Sequence, residues 1–172
     1  MLVYLCAALV ALVVLALDQG TKAYIAANLV LNAEPKPLVG DLLHLTYIRN
    51  SGGAWGMMSG HTWLLVTVTV LIMAVCIGVT VKIGRRSRLM LWAMALVLCG
   101  GVGNMIDRIF RGGEVVDFLQ FGFWPSFPVF NVADIAICTG AGLLILYFVL
   151  GMVADAKKAN PHNKAEGSDA EI

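Results

Sequence analysis

The sequence predicts an all-α membrane protein: four transmembrane helices carrying, on their outer side, a small membrane-lying β-sheet and an interfacial loop or short helix. Three observations lead to this class. The 172 residues are 59% hydrophobic and 13% charged, with a mean hydropathy of +0.83, whereas a soluble domain averages about 45–50% apolar and about 25% charged. Four long stretches, Met1–Leu17, Thr62–Val81, Leu89–Ile106 and Ile135–Ala154, carry no charge at all. Each approaches the roughly 20 apolar residues that a bilayer crossing needs.

The first span is expected at about 1–26, with the helix continuing through Asp18–Lys22 to reach Tyr24–Ala27. A signal-peptide core is the other reading of this run. No Lys or Arg precedes it and three spans follow, which favours an uncleaved helix. The first outer segment, about 28–61, contains "LLHLTYIRNSGGAWGMMSG". Leu43, Leu45 and Tyr47 alternate there with His44 and Thr46, a short period-2 signal for a half-buried strand. Gly52, Gly53, Gly56 and Gly60 follow and permit sharp turns. A small sheet with one apolar face and an ordinary interfacial loop both fit this pattern.

Spans at about 62–82 and 89–107 flank the short connection "KIGRRSR". The second outer segment, about 108–132, includes "FRGGEVVDFLQFGFWPSFPVF", whose aromatics suit a headgroup-level belt. Asp117 lies within it between Val116 and Phe118. A carboxylate in such surroundings is desolvated and raised in pKa unless something pairs with it; as a single residue it also reads as a turn or cap. The fourth span is expected at about 133–154, so 1–154 form one integral membrane domain. The polar remainder, 155–172, reads as a disordered cytoplasmic tail.

Four spans place both termini on one side. That side holds the dense basic connection with Lys82, Arg85, Arg86 and Arg88, and Lys157, Lys158 and Lys164 of the tail. The positive-inside rule makes it cytoplasmic. Asp18, Asp107, Asp117 and Asp134 then gather near the outer interface, and the inner halves of the spans hold nothing ionisable. A net charge of +1 gives no case for nucleic-acid binding. Cys6, Cys76, Cys99 and Cys138 sit in apolar runs without a CxxC pair and read as small hydrophobes. His44, His61 and His162 lack metal-ligand spacing, so neither metal nor cofactor is expected.

Asn131 and Asp134 share a helix face, as do Asn104 and Arg108, and Gly100, Gly101 and Gly103 allow a neighbouring helix to pack closely. Asp18 and Lys22 form an i,i+4 pair suited to mutual neutralisation. Asp117 and Asp134 have no obligate cationic neighbour in sequence. Two adjacent carboxyl groups cannot both ionise easily, so one keeps a proton while the other is charged. The charged one can take a proton from water and the neutral one can donate to a developing oxyanion.

These blocks together resemble the lipoprotein signal peptidases (signal peptidase II). "DQGTK" (Asp18–Lys22), "NSGGAWG" (Asn50–Gly56), "GGVGNMIDR" (Gly100–Arg108), "VVDF" (Val115–Phe118) and "FNVAD" (Phe130–Asp134) match that family's motifs in order. The resemblance implies a bacterial inner-membrane aspartyl endopeptidase that removes the signal peptide from prolipoproteins just before a diacylglyceryl-modified cysteine. It makes Asp117 and Asp134 the catalytic dyad. Asn50, Gly52, Asn104, Arg108 and Asn131 become positioning residues for substrate and dyad, and Asp18 and Lys22 supports for helix 1. It further implies no metal, a sheet that cradles the substrate, membrane lipid as a partner, and inhibition by the cyclic peptide globomycin. A monomer suffices for that chemistry. Two other readings fit the residues without the resemblance. One is a binding or assembly module that holds a lipid or partner helix. The other is a transporter or channel subunit, which the bare inner halves of the spans disfavour.

Overall fold

The computed structural model describes residues 1–53, 55, 57–58, 60–83 and 87–159. Arg85, Arg86, Gly56, His162 and the rest of the tail from 160 onward lie outside the described residues. Four helices form where the uncharged runs predict them: α1 (Leu2–Asn28), α2 (Thr62–Ile83), α3 (Arg88–Phe110) and α4 (Val132–Ala159). All four are long and apolar enough to span a bilayer. α1, α2 and α4 turn bare Leu, Ile and Val outward, among them Leu9, Leu12, Leu71, Val75 and Leu146. A surface of that kind needs hydrocarbon as its solvent, and the protein is a multi-pass membrane protein.

α3 is the most buried of the four helices. Its glycines set how closely α4 approaches. A Cβ on Gly100 would collide with the Ala133 carbonyl, and one on Gly140 would stand 2.7 Å from the Ala93 carbonyl oxygen. Small residues on both helices thus bring two backbones together where lipid supplies no hydrophobic drive. α4 also runs on through 155–159, where a disordered tail was expected. The added stretch, Asp-Ala-Lys-Lys-Ala, is rich in good helix formers, and extending an existing helix avoids a new nucleus.

On the side of the molecule where α1 and α3 end and α4 begins lies a three-stranded antiparallel sheet: β1 (Lys36–Val39), β2 (Leu43–Asn50) and β3 (Val115–Phe121), in that order. β3 occupies the aromatic-rich outer segment, where the sequence suggested a loop or short helix. Val115, Val116, Phe118 and Leu119 are buried, with Val, Phe and Leu on both faces. A strand covered on both sides reads as a continuous apolar run and gives no alternation to detect. Tyr47, Ile25, Val116, Phe118 and Leu119 form one apolar cluster that locks the sheet to α1.

Candidate active site

The site is assembled at the junction of β2, β3, α3 and α4. Beyond β3 the chain loops back so that Phe130 pairs with Leu119, each backbone N–H meeting the other's carbonyl at 2.9 Å. The next residue, Asn131, is thereby delivered beside Asp117. It is also the N-cap of α4. The Asp134 N–H donates to Asn131 Oδ1 at 3.0 Å, and the Asn131 N–H donates to Asp134 Oδ2 at 3.1 Å, a reciprocal capping box. Asp134 therefore occupies a helix N-terminus, where the end of the helix dipole favours a carboxylate.

β2 reaches Asp117 through a bulge. Leu45 pairs with Leu119 and Ile48 with Asp117, so Thr46 and Tyr47 together stand opposite Phe118 alone. Unbroken alternation would bring Tyr47 opposite Asp117 and set Arg49 diagonal to it. The extra residue shifts the pleat by one, which moves every later side chain to the other face. Asn50 now sits diagonal to Asp117 and donates to its Oδ2 at 2.8 Å, while Arg49 faces away toward Tyr47 and Glu114. The register replaces a cation beside the carboxyl with a neutral amide.

Three asparagines surround the carboxyl groups, and a group that can only donate fixes the orientation of each. The Gly52 N–H meets Asn50 Oδ1 at 2.9 Å, which turns Asn50 Nδ2 toward Asp117. The Asp134 N–H holds Asn131 Oδ1, so Asn131 Nδ2 reaches Asp117 Oδ1 at 2.6 Å. The Lys22 ammonium holds Asn104 Oδ1 at 2.9 Å, and Asn104 Nδ2 reaches Asp134 Oδ1 at 2.8 Å. Asn131 Nδ2 also lies 3.1 Å from Asn104 Oδ1, joining the two halves of the network. Gly53, next to Gly52, has φ +70°, a conformation that favours glycine at this tight turn.

Both carboxyl groups open onto a cavity of about 610 Å³ that is also lined by Asn50, Asn104, Arg108 and aromatic side chains including Trp55 and Phe127. Asp117 is 2% exposed; burial first, and then the neighbouring Asp134, push its carboxyl up to about 7. The asparagine contacts and Lys22 pull the other way and only partly offset this. Arg108 donates to the Asn104 carbonyl at 3.4 Å, and its buried Nε has no hydrogen-bond partner among the described residues. Trp55 stands edge-on to Phe127 at 6.0 Å with φ +53°, an unusual backbone for a bulky residue.

The structure thus brings Asn50, Asn104, Arg108, Asp117 and Asp134 to one cavity, with Gly52 directly behind Asn50 and the fully buried Asn131 behind Asp117. Asp18 and Lys22 lie one layer behind, fully buried. Their pairing is wider than mutual neutralisation. Lys22 bridges Asp18 at 2.9 Å and Asp107 at 3.1 Å, and Arg111 meets Asp107 at 3.2 Å. Two carboxylates and two cations balance, as burial demands. Asp18 also accepts the Ala133 N–H at 2.9 Å, which anchors α1 to the start of α4. Sequence reasoning left Asp107 without a role. Its i,i+4 spacing to Arg111 was the available signal, but its partner Lys22 lies on another helix.

The profile described as Signal peptidase (SPase) II matches residues 10–150. The chain is 40% identical over 158 residues to the lipoprotein signal peptidase of Halalkalibacterium halodurans, covering 91% of this chain and 97% of that one. Against the lipoprotein signal peptidase of Rhodococcus jostii it is 44% identical over 153 residues, covering 85% and 73%. Its fold is similar to a solved "Bacterial membrane enzyme structure by the in meso method at 2.3 A resolution". That match has a TM-score of 0.79 at 30% identity, over 91% of this chain and 92% of the other.

Proposed function

The chain belongs to the signal peptidase II family, and from that membership we propose that it is an aspartic-type endopeptidase. It cuts diacylglyceryl-modified prolipoproteins immediately before the lipidated cysteine. The observation that carries this reading is the convergence of two carboxyl groups, from β3 and α4, on one cavity with three asparagine amides turned toward them. The pair shares one proton: in this reading Asp134, capped at the N-terminus of α4, takes the charged role, and Asp117, pushed up to about 7 by burial and by the neighbouring Asp134, takes the protonated one.

A water between the two gives a proton to Asp134 as its oxygen bonds to the scissile carbonyl carbon. Asp117 passes its proton to the carbonyl oxygen, leaving a neutral tetrahedral diol. Asp134 then returns its proton to the departing cysteine nitrogen as the C–N bond breaks. Asp117 recovers a proton from the diol, and the pair is reset. Arg108, whose Nε beside the cavity has no partner among the described residues, is suited to hold a substrate carbonyl. The remaining roles are positioning for Asn50, Gly52, Asn104 and Asn131, and support for Asp18 and Lys22.

The same reading places the enzyme in the bacterial inner membrane with both termini cytoplasmic and the cavity at the outer interface. The acyl chains of the substrate stay in lipid and hold the scissile bond at that depth, which lowers the entropy cost of positioning it. Globomycin is the expected inhibitor. One chain supplies every residue of the site, so a monomer suffices.

The test is a gel-shift assay on protein purified in detergent, using a prolipoprotein with and without diacylglycerol on its cysteine. Cleavage of the lipidated form alone, unchanged by chelator, is expected. Specific binding of that substrate without cleavage would instead support a binding module.

A further inference from the structure

Asp107 touches neither the cavity nor the dyad, yet it is 0% exposed and a single oxygen of it serves two partners. Its Oδ2 accepts the Val116 N–H at 3.1 Å and lies 3.1 Å from the Lys22 ammonium. Val116 immediately precedes Asp117 in β3, so the first bond sets where the strand presents that carboxyl. Lys22 holds Asn104 Oδ1, and Asn104 holds Asp134. The other oxygen, Oδ1, is occupied by Arg111 at 3.2 Å and Gln19 at 3.5 Å, which keep the carboxylate from turning.

We propose that Asp107 is a positioning residue for the reaction, fixing both members of the dyad from one oxygen: Asp117 through the Val116 amide, and Asp134 through Lys22 and Asn104. The inference rests on the aspartyl-dyad reading above. It differs from a purely structural role in what it demands. Charge balance would be satisfied by any equal number of carboxylates and cations. Positioning requires that Lys22 be shared between Asp18 and Asp107, so that its third direction points at Asn104. With Asp107 neutral, Lys22 is drawn to Asp18 alone and its hold on Asn104 loosens.

The experiment separates the two by restoring balance without restoring the second carboxylate on Lys22. Asp107→Asn is made alone and together with Arg111→Gln, so that the double variant keeps one carboxylate for one buried cation. Melting temperature, kcat and KM are measured in detergent on lipidated prolipoprotein, with Arg111→Gln alone as reference. Asp117→Asn and Asp134→Asn are run alongside. The double variant is expected to melt close to the reference, with KM within about twofold and kcat lower by on the order of 10²-fold, as for a small misplacement of reacting groups. Reference-level kcat in the double variant overturns the proposal, leaving Asp107 a charge-balancing residue. A double variant that does not fold overturns it too, because the fold itself then depends on Asp107. Activity surviving in Asp117→Asn or Asp134→Asn is a different outcome: it removes the dyad reading on which the inference stands.

Discussion

A buried carboxyl costs folding energy when it is charged, so Asp117 ties stability to pH. Its value of about 7 in the folded protein lies above the roughly 3.9 of an unfolded chain. The folded state binds this proton more tightly, so the stability it confers is full below about pH 4 and is lost as pH rises through about 7. The melting temperature is expected to fall between about pH 5 and about pH 8, and Asp117→Asn to flatten that fall. An unchanged slope in the variant would assign the titration to another group. On the proposed mechanism, turnover is expected to follow the same proton and to decline on the alkaline side, because a dyad with both carboxyls charged has nothing to donate. At this scale the sequence was most legible where chemistry is local: "FNVAD" marks a cap and an acid on one helix face. It was least legible for the amide pins, since Lys22 and Asn104 lie on different helices and only packing introduces them.

The elements carry the site by close approach, and that is where substitution should be felt. Gly100→Ala sets a methyl against the Ala133 carbonyl and 2.7 Å from the Ile137 side chain. It should lower the melting temperature by the equivalent of roughly 1–3 kcal/mol, the usual cost of overpacking, and reduce turnover by displacing Asp134. Gly142, on the same helix as Ala133, has open space around it, and Gly142→Ala is the control expected to change neither. Asp18→Ala leaves Lys22 sharing one buried carboxylate and frees the Ala133 N–H. A loss of about 3–5 kcal/mol in stability is expected, read as lower yield and melting temperature; normal values with abolished cleavage would give Asp18 a direct part in the reaction. The four helices were readable to within a few residues because hydrocarbon length fixes their size. β3 was not, since a strand apolar on both faces lacks a period. Nor was the β2 bulge, because pairing register is a property of two strands and the sequence displays one at a time.

At the scale of the whole molecule, the site lies where α1 and α3 end, α4 begins and the sheet sits, so one face of the membrane must hold all of it. Cysteine placed at exposed Lys36 in β1, in a background without native cysteines, should react with an impermeant thiol reagent from outside the cell. Cysteine at exposed Lys158 near the end of α4 should react only after lysis. The reverse pattern would invert the proposed orientation. The proposed chemistry requires Asp117 and Asp134 to act as one acid–base pair. Its most direct test is the single-turnover cleavage rate of lipidated prolipoprotein by wild type, Asp117→Asn and Asp134→Asn, each first shown to be folded by its melting curve. A loss of at least about 10³-fold is expected in both variants, with substrate binding kept. Folded protein that still cleaves within about tenfold of wild type, in either variant, would contradict it.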